Sequence, residues 1–232
     1  MKELKKEKAS LKGSWLWGAL LFVVLILVDM LTKIVADAYL DPWDSSIEII
    51  PGYLEICLAY NRGISFSIGS DASVPAKIAL VAATGVLFVL IALYYFKMDK
   101  RRTWVRVALV LIVAGGVGNL IDRVYYQVWE PFSASDPSTW DGVRDMVRLK
   151  IFMFDFGVCN FADFFIVGGA IVLIVAMLFF DTGAIFPLTE KYKALSKEME
   201  ENEERKKKEK AEKAKRSALE KAEARKAENK EE

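Results

Sequence analysis

Polar side chains recur at helical spacing inside stretches that are otherwise apolar, and these residues are where the chain could do chemistry. Asp29 and Lys33 stand four apart, Asn119, Asp122 and Arg123 fall within five positions, and Asn160 and Asp163 are three apart. Spacings of three and four put side chains on one helix face. Asp145 lies between the last two groups, in GVRDM, and Asn61 opens NRGISFS at 61–67. The chain has no histidine and only two cysteines, Cys57 and Cys159. That excludes Cys/His and Ser/His/Asp nucleophiles, a zinc site of the HExxH kind and a disulfide-built scaffold. Carboxylate, hydroxyl and lysine chemistry remain. Ser65 and Ser67 are near Asn61, but a serine–lysine dyad needs Lys33 deprotonated, and Asp29 beside it favours the charged form. Two aspartates that share one proton, each accompanied by amides, form the stronger candidate: one activates water and the other donates to a carbonyl.

Each group also has a structural reading. Asp29 and Lys33 suit a neutralising pair, and Lys33, near a helix end, can snorkel. Asp122 and Arg123 diverge on a helix, so each is expected to reach other partners. Asp163 suits the first turn of a helix, where the dipole favours a carboxylate. Asp145, taken alone, reads as a solvated loop residue. The two cysteines read as packing residues. Gly115, Gly116 and Gly118 precede the third-span cluster and let a neighbouring backbone approach closely.

These residues need elements to hold them. The chain has 232 residues, 32 basic and 31 acidic, and is 53% hydrophobic. The charge is unevenly placed: residues 189–232 hold 15 Lys/Arg and 13 Glu. The remainder has too few charges to cover a water-facing surface, and four segments, about 15–35, 74–96, 104–126 and 158–180, each have the roughly 20 apolar residues a bilayer crossing requires. The expected fold is an all-α integral membrane protein of four transmembrane helices, with a small β-rich outer element and a charged helical or disordered C-terminal tail. Its parts are a basic N-terminus at 1–14, a membrane domain at 15–181 and the tail at 182–232. Lysine and arginine gather before the first span, between the second and third, and in the tail, which puts both termini in the cytoplasm. Residues 46–67 mix β-branched and aromatic residues with Pro51-Gly52 and Asn61-Arg62-Gly63 turns, suggesting short strands at the outer surface. Residues 130–142 read as an irregular loop. The tail's charges nearly cancel, so nucleic-acid binding is not expected.

With these blocks in place the chain resembles the lipoprotein signal peptidases, or signal peptidase II. DMLTK at 29–33 looks like that family's first-span motif, and NRGISFS is similar to its Asn-x-Gly-x-Ala-Phe-Ser block. GNLIDR at 118–123 matches the third-span block. GVRDM and NFAD, ending at Asp163, resemble the pair that holds the family's two catalytic aspartates. The resemblance covers about residues 15–180, and several blocks in order are far more specific than any one of them.

The resemblance implies an aspartic endopeptidase of the bacterial cytoplasmic membrane that removes signal peptides from prolipoproteins, cutting just before the diacylglyceryl-modified cysteine. It makes Asp145 and Asp163 catalytic, with Asn61, Gly63, Asn119, Asp122, Arg123, Asn160, Asp29 and Lys33 holding the site or the substrate. It implies no metal and no organic cofactor. Lipidated prolipoproteins and membrane lipids are the expected partners, with a monomeric enzyme and an active site at the outer face. Departures are Ser65 in place of Ala, Arg144 and Met146 where apolar and aromatic residues are usual, Cys159 in place of Phe, a longer loop at 130–142, and the tail. Because of that loop, Asp122 paired with Asp163 is a competing dyad. A small transporter or assembly factor, using the same Asp, Asn and Arg to conduct protons or bind a partner helix, is the alternative function.

Overall fold

Among the described residues of a computed structural model, four helices are long and apolar enough to cross a bilayer: Trp15–Tyr39, Pro75–Lys97, Thr103–Tyr126 and Phe161–Phe180. The structure describes residues 2–42, 46–61, 74–129, 142–151, 154–181 and 184–228. In hydrocarbon the backbone must satisfy its own hydrogen bonds, so these Leu-, Val- and Ile-rich stretches form helices. Helix α1 is Lys2–Tyr39, α2 Val74–Lys97, α3 Thr103–Arg123, α4 Phe161–Val175 and α5 Glu190–Glu228. A π-helical stretch, Val124–Trp129, continues α3, and another, Ala176–Phe180, follows α4. The described chain forms two units, Met1–Ile174 and Val175–Glu232.

Within the first unit α3 is central: 56% of its spanning window is buried, against none of α2's. The lipid-facing residues of α2, such as Val86, Leu87, Val89, Leu90 and Leu93, are exposed. Gly115 and Gly118 make the inside of α3 narrow. A Cβ on Gly115 would strike the Ala162 carbonyl oxygen and meet Ile166 Cγ1 at 2.8 Å, and one on Gly118 would strike Asp29. The expected close approach is therefore that of α1 and α4 against α3.

Strands β1 (Ser46–Ile50) and β2 (Leu54–Asn61) form the expected hairpin, closed by a bond from the Tyr53 N–H to the Ile50 carbonyl at 2.9 Å. Two further strands were not expected, β3 (Val143–Ile151) and β4 (Phe154–Cys159); they complete an antiparallel sheet in the order β1-β2-β3-β4. This moves one expected boundary: the fourth helix starts at Phe161 rather than 158, because the preceding residues pair with β3. The first helix runs on to Tyr39 rather than 35. Ala36 joins Leu58, Met146 and Val147 in a small buried core that seats the sheet on the end of α1. Met146, a departure from the family pattern, thus packs as an ordinary apolar residue. In the second unit α5 is a long helix, largely exposed over residues 190–213, as its Lys/Glu composition leads one to expect.

Candidate active site

The buried side chains of the first unit include many polar groups: Asp29, Lys33, Asp122 and Asn160 are fully buried, and Asp145 and Asn119 nearly so. Asn160 connects them. It precedes α4 and forms a reciprocal cap with Asp163: its Oδ1 accepts from the Asp163 N–H at 3.0 Å, and Asp163 Oδ2 accepts from the Asn160 N–H at 3.1 Å. Two of the helix's otherwise unmatched terminal groups are satisfied by this exchange. The Asn160 Nδ2 group turns the other way and donates to Asp145 Oδ1 at 2.6 Å. One residue therefore holds both carboxylates, Asp145 through its side chain and Asp163 through its backbone N–H. Asn119, on α3, donates to the second oxygen of Asp163 at 2.8 Å and accepts from Asn160 at 3.0 Å.

Asp145 lies on β3 opposite Ala59 of β2, and Asn61, two residues further along β2, hydrogen-bonds its carboxylate. Strand pairing thus corrects the reading of Asp145 as a solvated loop residue: it is 2% exposed. Burial and the neighbouring Asp163 carboxylate lift its pKa to about 7 from an ordinary 3.8, against the hydrogen bonds of Asn61 and Asn160 and the charge of Lys33. Desolvation dominates, with like charge second. Burial, with Asp163 and Asp145 nearby, pushes the Cys159 thiol up to about 12, so it stays protonated and is no nucleophile. Its Sγ lies 3.2 Å from the Val147 carbonyl oxygen, in keeping with a packing role.

Lys33 holds the helices beneath this pair. Its Nζ is 2.8 Å from Asp29 and 3.4 Å from Asp122, and it donates to Asn119 at 3.0 Å. Asp29 in turn accepts from the Ala162 N–H at 2.9 Å, tying α1 to the start of α4. The neutralising pair is present. Snorkelling is not: Lys33 is fully buried, because its partners lie inward on α3 rather than at the membrane surface.

Asp122 belongs to this scaffold. Arg144 grips it through its backbone N–H at 3.0 Å and its Nη2 at 2.8 Å. Both carboxylate oxygens are thereby taken up, Oδ1 by the guanidinium and Oδ2 by the backbone N–H with Lys33 at 3.4 Å, which argues against Asp122 as half of a dyad. Arg123 diverges from Asp122 as expected and interacts electrostatically with Asp163, Asp145 and Asp122. Gly63 lies outside the described residues.

The sequence reading missed the role of Arg144 and its surroundings. The guanidinium lies 5.3 Å from the Tyr126 ring centroid and 3.7 Å from Asp37, and the Tyr60 hydroxyl donates to Asp37. Tyr60 and Arg144 are cross-strand partners. The signal was available: Asp37 continues the four-residue spacing of Asp29 and Lys33 along α1. Together these bonds place Asp145 and Asp163 side by side at one end of the bundle, with a proton that burial favours retaining near neutrality. Such a pair can perform general acid–base hydrolysis.

Known proteins resemble this chain over the same region. A family profile described as signal peptidase (SPase) II matches residues 21–179. The lipoprotein signal peptidase of Ectopseudomonas mendocina (strain ymp) is 32% identical over 166 residues, covering 71% of this chain and 89% of that protein. That of Borreliella burgdorferi (strain ZS7) is 32% identical over 171 residues, covering 72% and 92%. A solved bacterial membrane enzyme, determined by the in meso method at 2.3 Å, superposes with a TM-score of 0.56 at 28% identity, over 69% of this chain and 87% of that one. With the profile spanning all four helices and the sheet, the chain belongs to the signal peptidase II family.

Proposed function

We propose that the protein removes signal peptides from prolipoproteins as an aspartic endopeptidase, cutting before the diacylglyceryl-modified cysteine, with Asp145 and Asp163 as its dyad. The observation that carries the aspartic mechanism is the single residue Asn160 bonded to both carboxylates, to Asp145 through its side-chain amide and to Asp163 through its backbone N–H. One carboxylate takes a proton from water as its oxygen attacks the scissile carbonyl, and the other protonates the developing oxyanion. Collapse of the tetrahedral intermediate breaks the C–N bond, and the proton first taken from water passes to the leaving amine. The shared proton belongs to the pair rather than to either residue. Asn61, Asn119, Asp122, Arg123 and Asn160 hold the aspartates and the extended substrate backbone; Asp29 and Lys33 hold the helices.

The proposed placement is the bacterial cytoplasmic membrane, with residues 1–14 and 182–232 in the cytoplasm and the peptidase domain at 15–181. The dyad then lies at the outer face, where a lipidated substrate arrives laterally from the bilayer. A monomer suffices, because both carboxylates come from one chain. Purified protein in detergent, given a diacylglyceryl-modified prolipoprotein, is expected to release the signal peptide by a cut immediately before the modified cysteine. A folded protein that leaves this substrate intact would return the polar cluster to proton conduction or helix packing.

Orientation has its own test, because the charge argument for it is independent of the chemistry. Single-cysteine labelling with an impermeant reagent is expected to reach Asp71 and Ser135 from outside, both beyond the described residues, and Lys100 only after the membrane is opened. Ser135 protected while Lys100 is labelled in intact cells would invert the topology.

A further inference from the structure

One cavity among the described residues has none of the polar cluster's side chains in its lining. It has a volume of about 900 Å³ and lies between α1, α2 and α3, with an almost wholly apolar lining. Gly18 and Gly85 keep it open, and Trp15, Phe88 and Leu120 form much of its wall. On α2 its lining runs from Gly85 to Phe96 and on α3 from Leu109 to Leu120. Eleven residues at 1.5 Å each give about 16 Å, half of a hydrocarbon core about 30 Å thick. The cavity is therefore one leaflet deep. On α1 it takes in only Trp15 to Val23, well before Asp29 and Lys33, while on α3 it reaches Leu120, next to Asn119, whose side chain is not part of the lining.

Its mouth is cationic. Arg106, one turn before Leu109, is 5% exposed, donates from Nη2 to the Tyr95 hydroxyl at 2.9 Å and lies 4.5 Å from the centre of that ring. Tyr95 itself lines the cavity. The adjoining connection carries Lys97, Lys100, Arg101 and Arg102 against the single acid Asp99. An apolar trough as deep as one leaflet, ending in surplus positive charge beside a buried arginine, matches a lipid with an acyl chain and an anionic headgroup.

We propose that this cavity is a site for one anionic phospholipid, whose acyl chain fills the trough while its headgroup phosphate meets Arg106 and the 97–102 connection. The site is separate from the one that cleaves substrate.

Native mass spectrometry and thermal unfolding of the full chain in neutral detergent test this, with phosphatidylglycerol and phosphatidylcholine of identical acyl chains as probes. Wild-type protein is expected to retain one phosphatidylglycerol at least about fivefold more tightly than phosphatidylcholine, the preference that one engaged cation supplies. Arg106→Gln should remove that preference. Gly85→Leu is designed to fill the trough, because a Cβ there meets only Leu120, at 3.7 Å. It should abolish both the adduct and the lipid-dependent rise in melting temperature, with cleavage of prolipoprotein unchanged; Ala92→Leu serves if that variant does not fold. Equal retention of the two lipids by wild type, or an adduct surviving both filling variants, would overturn the proposal. So would a tenfold rise in KM for prolipoprotein in Gly85→Leu, which would give the trough to substrate, or loss of a detergent-stable dimer, which would give it to a second copy.

Discussion

Asp145→Asn and Asp163→Asn are each expected to slow prolipoprotein cleavage by about 10²- to 10⁴-fold, the usual worth of a positioned acid or base. Both variants should still bind lipidated substrate. Asparagine keeps the carboxylate's shape, and at position 163 its Oδ1 can still accept from the Asn160 N–H, so the cap on α4 survives. Asp145→Asn should also melt no lower than wild type at pH 8. The reason is the direction of the shift: a carboxyl raised to about 7 by burial binds its proton more tightly folded than unfolded. Stability is then greatest below the ordinary value of 3.8 and declines as pH climbs from there to about 7. The amide carries no such penalty. In the wild type, cleavage should fall above about pH 7 as Asp145 loses its proton. Turnover by Asp145→Asn within a few-fold of wild type, beside a folded and substrate-bound Asp122→Asn that is dead, would move the dyad to Asp122.

Lys33→Met should cost about 3–5 kcal/mol of stability, the range found when one partner of a buried charge cluster is removed. The loss leaves Asp29 and Asp122 buried near each other without the ammonium between them, and takes a donor from Asn119. Replacing Asp29 as well, in Asp29→Leu/Lys33→Met, should recover part of the loss, since no uncompensated carboxylate then remains on α1. Unfolding in mixed micelles measures both. A change within about 0.5 kcal/mol for Lys33→Met, as expected of a surface residue, would mean that the lysine reaches water after all.

Much of this architecture was legible in the residues. Long apolar runs marked the four spans because a bilayer permits few other solutions, and the i, i+4 spacing of Asp29 and Lys33 fixed their shared face. Pro51-Gly52 between β-branched residues marked the first hairpin. Strands β3 and β4 were hidden. In VRDMVRLKI the side chains facing inward include Arg144 and Asp145 themselves, so the apolar alternation that usually betrays a strand is absent. That also concealed why Arg144 is charged where the family pattern is apolar. Its partners, Asp122 on α3 and Asp37 on α1, come together only through the fold. The register across the long loop between Asp122 and Asp145 was open for the same reason, and strand pairing with β2 is what supports Asp145.

The bond from the Ala162 N–H to Asp29 joins residues 133 positions apart, and Asn160 reaches back to Asn119 across 41. Synthesis runs from the N-terminus, so when the first three helices have entered the membrane the site has a lysine, amides and Asp122, yet no Asp163 and no Asn160 to orient Asp145. On the proposed dyad, hydrolytic competence arrives only with the start of the fourth span, once the first three helices and the four strands have been made.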